Sequence, residues 1–301
     1  MLSQSLLFLA TPIFVRFYSP ADFGLYTFSY SLIALTASVG TWKVERFIVI
    51  APTRRAAIGL LTAMIWLGAI MAVFALAVSP IIIFVARHFF GGAVSGITLV
   101  WLAPFSIFIF VAASGMRFYS MRLARFSVIS AAQISRAAVF AAGTVATGLL
   151  WRLPYVGGAM VILAWQAVGD AGALLVQAWA SPTIVRLVLL RPRLRRSFTV
   201  LKTYRKTLGV LTVAELISAL NQQLQVSTVI FFFGATAGGW FSLARALVYV
   251  PCSVIAVAVM DVTNQRLSRY YAESKPFASV VLQSTLWMAA LGIVPFSALV
   301  V

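Results

Sequence analysis

A chain of 301 residues that is 62% hydrophobic and only 10% charged, with mean hydropathy +1.01, is not a soluble globule. Soluble domains carry about 25% charged residues, and even at ~300 residues roughly a quarter of the unfolded chain's surface stays in water. The net charge of +17 lies in short gaps between apolar runs, which points to loops held on the cytoplasmic side and away from nucleic-acid binding.

A crossing helix needs about 20 apolar residues. Nine segments meet or approach that length: 1–15, 24–50, 57–86, 96–116, 127–150, 154–180, 207–233, 239–263 and 277–301. Their uniform apolarity lacks the alternation of an outer-membrane barrel. The expected fold is an all-α integral membrane protein of about nine transmembrane helices. Pro80 is a candidate break in the third segment. Met1 enters an apolar run directly, which predicts no cleavable signal peptide. Segment 1–15 is short and segment 277–301 has no polar tail, so both ends read as clipped.

With the N-terminus in the cytoplasm, alternate loops divide the basic residues unevenly. Sixteen fall on the cytoplasmic side, from Arg54 and Arg55 through Arg117, Arg122, Arg125 and the 186–206 stretch to Lys275. Three, Arg16, Arg87 and Arg152, fall on the other, and four lie inside segments. That bias supports the count and the orientation together. Cys252 is the lone cysteine and His88 the lone histidine, so neither a disulfide nor a metal cluster is expected, and no cofactor.

Residues 17–39 and 232–254 align without gaps, sharing Phe17/Phe232, Gly24/Gly239, Leu32/Leu247, Ser38/Ser253 and Val39/Val254. Six segments separate the copies, so both keep one orientation. That describes a parallel repeat about an axis along the membrane normal. The expected organisation is a six-helix lobe at 1–185, a basic cytoplasmic linker at 186–206 and a partial three-helix lobe at 207–301.

Three stretches carry a family resemblance. Residues 11–52 (TPIFVRFYSPADFGLYTFSYSLIALTASVGTWKVERFIVIAP), 116–137 (MRFYSMRLARFSVISAAQISRA) and 203–273, which opens TYRKTLGVLTVAELISALNQQLQ, are similar to bacterial polysaccharide flippases. These are the Wzx-type branch of the multidrug/oligosaccharidyl-lipid/polysaccharide exporter superfamily. The resemblance implies two six-helix lobes around a cavity that opens alternately to each side. It implies a polyprenyl-pyrophosphate-linked oligosaccharide as cargo, a bacterial inner-membrane location and contact with other polysaccharide-assembly proteins. The chain departs from the family by stopping about three helices early.

Charged residues within spans are costly and are therefore site candidates. Lys43, Glu45 and Arg46 crowd the cytoplasmic end of the second segment; they either snorkel or face a cavity. Arg136 lies about nine residues into the fifth segment and Arg245 several residues into the eighth. Arginine's planar fork suits pyrophosphate oxygens. Glu215 and Asp170 are ion-coupling candidates, or structural partners for Arg136 or Lys43. Asn221, Gln222, Gln223 and Gln225 cluster in mid-span, where amides bond sugar hydroxyls or neighbouring helices. Lys43, Arg46, Arg136, Arg245, Asn221, Gln222 and Gln225 thus form the expected cargo set, with membrane lipids as the other partner.

Two other functions compete. An exporter of cationic drugs needs an excess of acids in its spans, whereas these spans hold no such excess: Lys43, Arg46, Arg136 and Arg245 stand against Glu45, Asp170, Glu215 and Asp261. A membrane polymerase or ligase needs a large catalytic loop, yet the longest gap, 181–206, contains no acidic residue. A transporter without covalent chemistry is the expectation.

Overall fold

The computed structural model describes residues 2–41, 43–90, 96–150, 157–190, 199, 205–272, 278, 281–287 and 289. Among these every regular element is an α-helix: α1 (Leu2–Phe17), α2 (Pro20–Gly40), α3 (Val44–Ile50), α4 (Arg54–Phe90), α5 (Gly96–Arg122), α6 (Phe126–Leu150), α7 (Gly158–Trp179), α8 (Pro182–Leu190) and α9 (Arg205–Ala272). In lipid each backbone polar group must be satisfied within the protein, and helices do this locally. Hydroxyls follow the same rule. Thr11, Thr27, Ser29, Thr36, Thr62, Thr144 and Thr147 each donate to the carbonyl four residues earlier, at 2.7–2.9 Å.

Five stretches are long and apolar enough to cross a bilayer: Arg54–Ile81, Leu102–Arg122, Phe126–Leu150, Gly158–Trp179 and Thr212–Leu247, the last interrupted at Gly234. The chain is thus an all-α protein of multi-pass membrane character. The second expected segment is broken. Its helix stops at Gly40, Lys43 adopts a left-handed conformation (φ 53°, ψ 26°), and the short α3 follows. Pro80 does not break α4, which runs for 37 residues. Arg117 and Arg122, expected in a loop, belong to α5. The segment expected at 277–301 is helical at 281–287, and its remainder lies almost wholly outside the described residues.

The chain divides into two compact units, Leu2–Ser242 and, apart from Met1, Leu243–Val301. In the first, α4 packs along α5, α6 along α7, α5 along α7 and α1 along α6. Its core gathers Ile48, Leu60, Leu61, Met64, Val111 and Tyr119, all essentially inaccessible. Small residues let the helices approach. A methyl on Gly68 would stand 2.6 Å from Val111 Cγ1, one on Gly115 2.9 Å from Leu61 Cδ1, and one on Gly143 would overlap the Trp165 indole. Close backbone approach is how membrane helices gain contact when lipid and side chain are equally apolar. Large apolar side chains cover the outside: Ile70, Val73, Phe74, Leu149 and Trp179 are exposed. The second unit continues α9 to Ala272 and adds the helical residues 281–287, where Leu282, Leu286 and Trp287 are exposed.

Two arginines of the expected cytoplasmic loops cap helices. Arg122 Nη1 donates to the carbonyls of Ile48 (3.3 Å), Val49 (2.9 Å) and Ala51 (2.6 Å), closing the end of α3. Arg125 Nη1 donates to Ala180 O (3.0 Å) and Ser181 Oγ (3.3 Å) at the end of α7. Both relieve carbonyls that a helix C-terminus leaves without partners. At the opposite end, Ser19 and Asp22 cap α2, with Ser19 Oγ donating to Asp22 Oδ2 (2.6 Å). Asp22 Oδ1 also accepts from Ala159 N (3.2 Å), tying the starts of α2 and α7 together. Beside this cap, burial raises the Tyr18 phenol above its ordinary pKa, and its hydroxyl donates to Thr144 O (2.8 Å).

α9 reverses at Gly234. Its backbone there (φ 85°, ψ 170°) is open to glycine almost alone. A methyl on Gly238 would overlap Ile230 Cγ1. Eight residues of straight helix span about 12 Å, so that contact requires the chain to fold back on itself.

Candidate functional site

Polar residues from three helices meet inside the first unit. Tyr26 and Tyr30 on α2 are four apart, as are Gln166 and Asp170 on α7, so each pair shares a face. The tyrosine rings stack at 6.0 Å, and Tyr26 also stacks on Phe140 at 6.4 Å. Tyr26 donates to Gln166 Oε1 (3.4 Å), and Gln166 Nε2 donates to Asp170 Oδ2 (3.3 Å). Arg136 Nε on α6 stands 3.0 Å from Asp170 Oδ1. Gly169 makes this pairing possible, since a methyl there would lie 2.8 Å from Arg136 O and hold α6 and α7 apart.

The pair is asymmetric. The Asp170 side chain is 8% exposed and that of Arg136 30%. Arg117, exposed on α5, interacts electrostatically with Arg136. Among the described residues, two cations against one carboxylate leave this part of the first unit net positive. Arg136 is therefore an ion-pair partner of Asp170, as one of the two sequence readings of Asp170 anticipates.

A second cluster lies at the α2–α3 break. Lys43 Nζ is 3.5 Å from both Glu45 Oε1 and Ser38 Oγ. Glu45 is buried, with Oε2 unbonded, whereas Arg46 is exposed. The left-handed turn at Lys43 brings the lysine back over Glu45, two residues on. Among the remaining candidates, Asn221 and Gln225 are exposed on α9 and Gln223 is half-buried. The side chains of Gln222, Glu215, His88 and Cys252 lie outside the described ones. Arg245 is half-buried in the second unit. No group of three His, Cys, Asp or Glu gathers among the described residues.

The repeated segments also meet. A methyl on Gly24 would overlap the carbonyl oxygen of Ala235 and lie 3.0 Å from Gly239 N. A methyl on Gly239 would overlap the carbonyl oxygen of Pro20 and lie 3.0 Å from Pro20 Cα. Gly24 and Gly239 are aligned positions of the repeat, and so are Pro20 and Ala235.

Sequence reasoning missed Tyr26, Tyr30 and Gln166. The signal was there in two polar pairs at i and i+4 within apolar runs. The sequence matches no family model, and no curated protein or solved structure is significantly similar to it.

Proposed function

We propose that the chain is a transporter of the polysaccharide-flippase kind, moving lipid-linked oligosaccharide across a bacterial inner membrane. Alternating access carries the cargo, the N-terminus is cytoplasmic and nine helices cross. The observation that carries this reading is the reciprocal meeting of the repeat copies, Gly24 on Ala235 and Gly239 on Pro20. Contacts exchanged between equivalent positions are what a two-fold relation produces, and a parallel repeat is a transporter architecture. The net positive charge at Arg117, Arg136 and Asp170 supports an anionic cargo such as a pyrophosphate.

The test is reconstitution in liposomes with a polyprenyl-pyrophosphoryl oligosaccharide whose sugar carries a fluorophore. The sugar on one leaflet should become accessible to a membrane-impermeant quencher at a rate that depends on the protein. No protein-dependent transfer rejects the reading. Movement of a lipophilic cationic dye instead favours a drug exporter.

A further inference from the structure

We infer that Gly24 and Gly239 form the seal that closes the outer face of the transport path, and that opening this path separates these two glycines.

The argument begins with the repeat. A constant offset of 215 residues relates Pro20 to Ala235 and Gly24 to Gly239. Each glycine meets the carbonyl of the residue four positions before the other, one helical turn upstream. Such an exchange places the contact on the local two-fold axis. For a parallel repeat that axis runs along the membrane normal, through the middle of any path between the copies.

The contact also has a defined side. Gly24 is in the second turn of α2, and Gly239 is five residues past the reversal at Gly234. The C-termini of α3 and α7, capped by Arg122 and Arg125, mark the other side. The distribution of basic residues makes that other side cytoplasmic and the glycine contact extracytoplasmic.

Backbone meets backbone here, and both glycines are buried. The three atoms nearest each glycine's missing Cβ are all backbone, so the glycine contact itself closes tightly yet parts without repacking rotamers. A Cβ at either position holds the copies apart, and because the positions are equivalent the two substitutions should act alike.

The proposal rests on the transporter reading, but its tests need no cargo. The background is the full chain with Cys252→Ser, which removes the lone cysteine. Arg16→Cys and Thr236→Cys, both at exposed positions flanking the contact, each take a nitroxide spin label. Dipolar broadening between the labels should be strong in the parent and should fall when Gly24→Val or Gly239→Val biases the two-state equilibrium towards the open form, equally in the two variants. Gly209→Ala, with nothing within 4 Å of its methyl, should leave the broadening unchanged. Each variant is checked for a monodisperse peak in detergent, and Gly24→Ala or Gly239→Ala replaces a valine variant that fails it. Parent labels without broadening, or folded variants that keep the parent's broadening, overturn the seal. Loss of broadening in the variants with no movement of lipid-linked sugar overturns the cargo and leaves the seal standing.

Discussion

Arg136 Nε lies 3.0 Å from Asp170 Oδ1 across the α6–α7 interface, and the two sides of this pair differ in burial. Arg136→Ala leaves a buried carboxylate whose remaining hydrogen-bond donor among the described residues is Gln166. Asp170→Asn leaves a guanidinium that is 30% exposed and can shift outward. Removing one partner of a buried pair costs about 3 kcal/mol, so the arginine change should be the more damaging. Thermal unfolding in detergent should rank Arg136→Ala below Asp170→Asn. Arg136→Met with Asp170→Leu should recover much of the loss. Membrane insertion should be unchanged in all three, because it depends on the apolar runs, while Arg136→Ala should lower flipping. An equal ranking of the single variants would show that burial does not set the cost.

Arg122 holds three carbonyls with one nitrogen, Nη1. Arg122→Gln should destabilise by about 2 kcal/mol, the usual cost of stranding part-buried acceptors bonded to a charged group. Arg122→Lys retains a charged donor on a long stem and should fall between the two. Since α3 ends at these carbonyls, the loss should appear first as faster amide exchange within Val44–Ile50. Unchanged protection there would contradict the cap.

Gly143 and Trp165 test how tightly α6 meets α7. A methyl on Gly143 would fall within the indole, so Gly143→Ala forces the ring or the helix to move. Overpacking of this kind costs about 1–3 kcal/mol. Trp165→Leu opens space in the same place, so Gly143→Ala should be less harmful in that background. A double-mutant cycle on melting temperature checks this, and strictly additive losses would count against the contact.

Much of the helical fold can be read from the sequence because lipid imposes one rule, long apolar runs with satisfied backbone. The expected segments at 127–150 and 154–180 lie within a few residues of α6 and α7. The break before Lys43 is different. Gly40 is a local stop signal, but one glycine in an apolar run does not show that the helix ends there, and α3 is closed by Arg122, more than seventy residues away. The Arg136–Asp170 pair is legible as one of two alternatives, because an arginine deep in a span needs a partner. The polar pairs Tyr26/Tyr30 and Gln166/Asp170 are legible by their spacing, but their meeting is not, since it depends on the rotation of α2 against α7, which apolar periodicity in a lipid-exposed helix leaves open. The glycine contact was half-legible: the alignment pairs Gly24 with Gly239, but only packing shows that they meet.

The orientation can be tested at the linker. A cysteine at Ser197, with Cys252→Ser, should react with an impermeant thiol reagent in inside-out vesicles and not in intact cells, as the distribution of basic residues requires. Labelling from outside would invert every side assignment, including that of the seal.

Gly209 and Gly234 separate sterics from backbone strain, because neither has anything within 4 Å of the space a methyl would take. Gly209 is helical, so Gly209→Ala should stabilise by up to about 1 kcal/mol through propensity and lost unfolded-state freedom. Gly234 stands at φ 85° and ψ 170°, where any Cβ is strained, so Gly234→Ala should cost about 1–3 kcal/mol. The reversal in α9 depends on that one residue, and the damage should be local. Protection from amide exchange should drop on both sides of Gly234 while α6 and α7 keep theirs. If Gly234→Ala were as stabilising as Gly209→Ala, α9 would run straight through this point. The packing of Ile230 on Gly238, and with it the approach of Gly239 to Pro20, would then be lost.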